Sequence, residues 1–137
     1  MFTVANKSGR LVEIRLGTKL PISEAPQFVQ EVMAVTAAIS GRVVGITDLR
    51  LATKTADPEM IDVVSGMLRS ENPKIERNGL LVSTESATFA LQMDRMVKTA
   101  GTASRRVFRS RPEVEAWLGS VLTPAERARL SIFLDGL

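Results

Sequence analysis

The side chains able to do chemistry in this chain are few, and their types narrow the choice. Neither cysteine nor histidine occurs among its 137 residues. That removes thiol nucleophiles, thiolate metal sites, disulfides, the commonest general base and every Ser-His triad. Carboxylates, lysines, arginines and hydroxyls remain. Asp48, Asp57 and Glu59 lie close together, at the end of one apolar run and the start of the segment after it. In an open α/β sheet, ligands sit in the crevice beyond the strand ends, where carboxylates suit a metal or an acid–base pair. Each of the three also has a structural use. Asp57 suits a helix N-cap, Glu59 the positive end of the helix dipole, and Asp48 a set of loop amides. Those uses account for all three, so no catalytic residue and no metal is assigned, and the chain reads as a non-enzyme.

Arg105, Arg106, Arg109 and Arg111 form the strongest basic cluster, on and just after a short strand-like run. On a strand, Arg105 and Arg109 share one face while Arg106 takes the other. Cations along an edge strand discourage edge-to-edge pairing, and their alternative use is contact with an anion. Eighteen basic residues against fifteen acidic ones give a net charge of only +3, the balance of a mixed, solvated surface. Stacking platforms for bases are scarce, with one Trp and no Tyr, so nucleic acid is not the expected partner. Neither G-x-x-x-x-G-K-[ST] nor G-x-G-x-x-G occurs, and no cofactor is assigned.

The elements that must position these residues follow from periodicity and punctuation. The start of the chain reads as a hairpin. Phe2 and Val4 alternate with polar residues, 6–9 supply the turn, and Val12, Ile14 and Leu16 face away from Glu13 and Arg15. Ser23 is the expected N-cap of a helix striped by Phe28, Val32, Val35 and Ile39, with Gly41 as its stop. Residues 42–49 read as a strand buried on both faces. Asp57 and Pro58 open a second helix with Ile61, Val64, Met67 and Leu68 inward, and residues 71–73 close it. Residues 79–83 form the next strand. Ser86 caps a helix carrying Phe89, Met93, Met96 and Ala100, ended by Gly101. After a strand at 105–108 come two helices announced by S-x-x-E and T-x-x-E, at Ser110/Glu113 and Thr123/Glu126. Val114, Trp117, Leu118 and Val121 line the first, and Leu130, Phe133, Leu134 and Leu137 the second. The order is ββαβαβαβαα: an α/β domain spanning 1–137, with a mixed, mostly parallel sheet, an N-terminal hairpin and flanking helices. The opening residues lack the pattern of a secretory signal, and no apolar run approaches the ~20 residues of a membrane span, so the cytoplasm is the expected location.

That order, with Thr47-Asp48-Leu49 ending a buried strand, resembles the STAS domain of anti-sigma-factor antagonists, and most closely its divergent STAS-like subgroup. Val107-Phe108, Ala116-Trp117-Leu118 and Leu122-Thr123-Pro124 resemble the tail of those proteins. The resemblance implies a non-catalytic regulatory domain that docks a protein partner through the loop before the second helix and that helix's first turns. On this chain those are residues 49–56 and 57–61. Asp48, Arg50, Thr53, Lys54, Thr55, Asp57 and Glu59 would supply the polar contacts there, and Leu51 and Ile61 the apolar ones. Phosphorylatable members of the family carry Asp-Ser-Ser-Gly where this chain has Asp57-Pro58-Glu59, so the serine switch is expected to be lost. Thr53 and Thr55 are then better phosphoacceptor candidates than Ser65, which falls inside the helix as a small packing residue. Ile132 points away from the last helix's apolar stripe and is the expected contact of a homo-oligomer. Two rival readings stand beside docking: a small-molecule or lipid-headgroup binder beside Asp48 and the basic edge, and a weak nucleic-acid binder through the arginines.

Overall fold

Strict alternation along the strands sends successive side chains to opposite sides, so two separate cores can form on one sheet. A computed structural model describes residues 1–136; Leu137 lies outside the described residues. The elements are β1 (Phe2–Ser8), β2 (Leu11–Leu16), α1 (Ala25–Ala37), β3 (Val43–Leu49), α2 (Pro58–Glu71), β4 (Ile75–Val82), α3 (Ala87–Ala100), β5 (Arg105–Phe108), α4 (Arg111–Gly119) and α5 (Pro124–Asp135). The order is the one read from the sequence. The five strands lie side by side in chain order. β1 pairs antiparallel with β2, and every later pair is parallel.

On one face, Val12, Ile14, Val43, Leu49, Leu80 and Val82 meet α1, α2 and α3. On the other, Leu11, Val44, Ile46 and Leu81 meet α4 and α5. The expected stripes are where they were placed: Phe28 and Val32 on α1, Met67 and Leu68 on α2, Phe89, Met93 and Met96 on α3. Ser65 is buried, and Met60, which no stripe claimed, is buried beside it on α2.

Several local details differ from the sequence reading, each for a physical reason. A 3-10 turn at Ile22–Glu24 precedes α1, whose N-cap is Glu24 rather than Ser23, with no side-chain cap. Asp57 does occupy the N-cap of α2, but its carboxylate accepts no cap hydrogen bond. β4 begins at Ile75, well before Gly79, because Glu76 and Arg77 find partners in Arg10 and in α4 and so tolerate the strand. The Ser110 hydroxyl accepts from the Glu113 N–H, whereas only Thr123 and Glu126 complete a reciprocal capping box.

Gly79 is where α4 comes closest to the sheet. A Cβ there would stand 2.5 Å from Val114 Cγ2, in backbone that must otherwise stay where it is. Gly79→Ala is therefore expected to lower the unfolding free energy by about 1–3 kcal/mol through overpacking, as read by urea denaturation.

Candidate functional site

Arginine–carboxylate pairs and helix-end carbonyls dominate the face under α5. Asp48 ends β3 with its side chain fully buried. It accepts from Arg15 Nε at 3.0 Å and from Arg50 Nε and Nη2, each at 2.9 Å. Both guanidinium groups also reach the last turn of α5: Arg50 donates to the Leu134 carbonyl at 2.8 Å and Arg15 to that of Phe133. Cations belong at a helix C-terminus, where the final carbonyls fall outside the i+4 ladder and the dipole is negative. Burial raises the Asp48 pKa, but the hydrogen bonds from Arg50 and Arg15 outweigh it and hold the carboxyl below its ordinary 3.8.

The same helix is tied at its other end. Glu13, buried on β2, takes a two-pronged contact from Arg129 at 2.6 and 2.8 Å. The Glu126 carboxylate accepts from the Thr123 and Arg10 amides, both at 2.8 Å, so the hairpin turn docks on the start of α5. That turn needs Gly9, at φ 53°, whose missing Cβ leaves the room that Glu126 fills.

These contacts correct part of the expected contact surface. Asp48 is sealed inside the protein and unavailable to a partner, and Arg50 is committed to Asp48 and to α5. Leu51, Thr53, Lys54, Thr55, Asp57 and Glu59 are exposed, while Ile61 is half-buried against the core. Asp48 faces α5 whereas Asp57 and Glu59 open α2 on the opposite face, so the three carboxylates do not converge. Among the described residues no group of three or more acidic side chains is placed to hold a metal.

The arginine cluster is dispersed too. Arg105 is a further correction: it is buried at 5% exposure, on the α2–α3 face, and makes no surface anion contact. Arg106 lies over the Trp117 ring, Arg109 pairs with Asp94, and Arg111 pairs with Glu115 and Asp135. Ile132 is 59% exposed on α5. No helix among the described residues is long and apolar enough to cross a membrane.

The opposite face holds a cavity of about 250 Å³ between the sheet and α1, α2 and α3. The residues of β3 turned toward it are Val43, Gly45, Thr47 and Leu49, and the Asn78 amide lies over Gly45 and donates to the Thr47 hydroxyl. Val12, Phe28, Val32, Met60, Val64 and Met93 are among the apolar walls. One end opens beyond the C-terminal ends of β2 and β3, where Thr18, Lys19, Lys54, Thr55 and Asp57 are exposed. The other end is polar, formed by the buried Thr36, Asn78 and Arg105 and the half-buried Glu71. Interiors normally hold few voids larger than a water. Because one end opens at the surface, this space is an accessible apolar pocket rather than a sealed packing void.

One side chain fastens the mouth. Gln92 of α3 accepts from the Ala56 N–H and donates to the Ala56 carbonyl, both at 2.8 Å. Loop and helix are thus held together by a paired amide contact that resembles a rung of sheet. Sequence reasoning missed Gln92 and the cavity, since neither leaves a local pattern. Glu13 did leave a signal, being a lone acid between apolar residues on a strand.

No protein-family model matches the chain, and no curated protein matches it.

Removing the buried carboxylate tests the ionic face. Asp48→Asn leaves two guanidinium groups without their counter-ion and is expected to cost about 3–5 kcal/mol at neutral pH. Because the folded carboxyl titrates below 3.8, its contribution is complete above that pH and disappears as acid carries it through its lowered value. Urea denaturation at falling pH should show the wild-type and variant curves converging only in strong acid.

Proposed function

We propose that this chain is a non-catalytic binding protein on a STAS-like scaffold, and that it takes up a small, largely apolar molecule beneath α1 and α2. The observation that carries this reading is the cavity of about 250 Å³ walled by apolar side chains. An engineered apolar cavity of about 150 Å³ stays dry and binds benzene, so this one suits a ligand of about ten non-hydrogen atoms. Such a site needs little else: apolar walls for affinity and a few placed polar groups for orientation. It lies on the opposite face from Asp48, so the small-molecule alternative moves from the basic edge to the interior.

Filling the space tests the reading directly. Val64 lines the cavity from α2 while remaining half-buried. In a close-packed core Val64→Phe would cost about 1–3 kcal/mol. Here the ring has room, so stability should change by less than about 1 kcal/mol while uptake of an apolar probe such as octanamide falls roughly tenfold or more by calorimetry. A variant destabilised like an overpacked core, with no probe bound by the wild type, would sink the reading.

A second reading, docking of a regulatory protein at residues 49–61, is favoured by one observation. Leu51 is 41% exposed beside the exposed Thr53, Lys54 and Thr55, on the loop that also forms the cavity rim. The variant for that reading is Leu51→Asp with Lys54→Glu. Arg50 must be spared because it holds α5. The double variant is expected to keep its melting temperature and to lose a bound partner in co-purification; retention of that partner would move the docking surface elsewhere. Nucleic-acid binding through the arginines has the least support, since Arg105 is buried and Arg109 and Arg111 are ion-paired.

A further inference from the structure

The buried charges of this protein are not treated alike. Glu13 meets Arg129 directly, and Asp48 meets both Arg15 and Arg50. Arg105 is as buried as they are, yet its guanidinium touches only neutral oxygens: Asn78 Oδ1 and the Leu68 carbonyl at 2.9 Å, and Asn72 Oδ1 at 3.4 Å. Glu71 acts on it electrostatically without forming an ion pair, and itself accepts from the Thr36 hydroxyl at 3.1 Å. Burial pushes Arg105 down to about 10, so the group stays charged at neutral pH. A buried cation with neutral partners is costly, and the residue that carries it lines the inner end of the apolar cavity. Its hydrogen bonds to Asn78, Asn72 and Leu68 fix the planar head in place and leave other N–H hydrogens for a further acceptor.

Resting on the cavity reading, we propose that the ligand is an apolar acid whose carboxylate lies against Arg105 and whose hydrocarbon part runs between α2 and the sheet toward the mouth. The anion supplies the direct counter-charge that the chain does not place there, and the pairing is stronger inside an apolar enclosure than in water. Lys19 and Lys54 at the rim present positive charge to an entering anion, which favours its approach but leaves its final position to the buried end.

The test compares octanoate with octanamide, two probes of the same size that differ in charge, by calorimetry on the full chain. Octanoate is expected to bind wild type roughly tenfold tighter or more. In Arg105→Gln, whose neutral amide takes the place of Nε beside Asn72, the preference should shrink to within roughly twofold while octanamide affinity is kept. Equal binding of the two probes to wild type overturns the inference and leaves the cavity reading standing. A preference that survives in Arg105→Gln overturns the role of Arg105 and moves the carboxylate to the rim lysines. Failure of both probes to bind overturns the cavity reading itself. Should Arg105→Gln not fold, the wild-type comparison stands alone, joined by nuclear magnetic resonance. Octanoate must then shift the Asn78 side-chain amide, and a shift confined to Lys54 and its neighbours overturns the inference.

Discussion

The fully buried Asp48 carboxylate is the point on which the C-terminal half of the molecule turns. It sits at the end of the central strand, where an unpaired charge would be prohibitive, and it is tolerable only because two guanidinium groups meet it there. Those groups are then aimed at the last carbonyls of α5, beyond the reach of the helix's own i+4 ladder: Phe133 also accepts from the Gly136 N–H, and Leu134 from Arg50. One strand residue thereby fixes where a helix many residues later must end. The remaining ties, Glu13 with Arg129 and the hairpin turn with Glu126, set its register along the sheet. Directional contacts of this kind specify a single arrangement, whereas the apolar side chains beneath them would accept several.

The sheet consequently separates two surfaces of different character. Toward α4 and α5 the contacts are ionic, short and directional, over a core of Leu, Val and Ile. Toward α1, α2 and α3 they are apolar and include Met67, Met93 and Met96, unbranched side chains that adapt to an irregular space. A rigid platform with a more compliant layer over a cavity is a sound arrangement for binding: one side holds shape while the other accommodates. The paired amide contact between Gln92 and Ala56 joins α3 to the loop that carries Leu51.

Much of this was legible before any coordinates. Alternation and caps gave the element order, the mixed sheet and the helical stripes, because each of those is written in neighbouring residues. Thr123 and Glu126 announced α5 three residues apart and do close on each other. What stayed hidden depends on residues distant in sequence. Glu76 and Arg77 disguised the start of β4, since a charged pair in a strand makes sense only once Arg10 and α4 are beside it. Arg105 read as a surface cation for the same reason, its partners lying on α2 and β4. Asp48 and Glu13, each a lone acid in a mostly apolar strand run, were the buried charges whose type and setting together hinted at a partner. The cavity has no sequence signature, because its walls come from the sheet and from three helices far apart in the chain.

That unfilled space also sets how the molecule should answer to compression. Unfolding under hydrostatic pressure is driven by the elimination of internal void, and the apolar cavity lies on the side of the sheet that carries α1, α2 and α3. Charged groups gain tighter hydration once exposed, but those beneath α5 are locked into paired contacts around little free volume. Squeezed in solution, the layer of α1, α2 and α3 would admit water first, while the strands and α5 kept their places. A molecule seated in that space would stiffen the soft side, and the protein would then resist pressure as a more uniform solid.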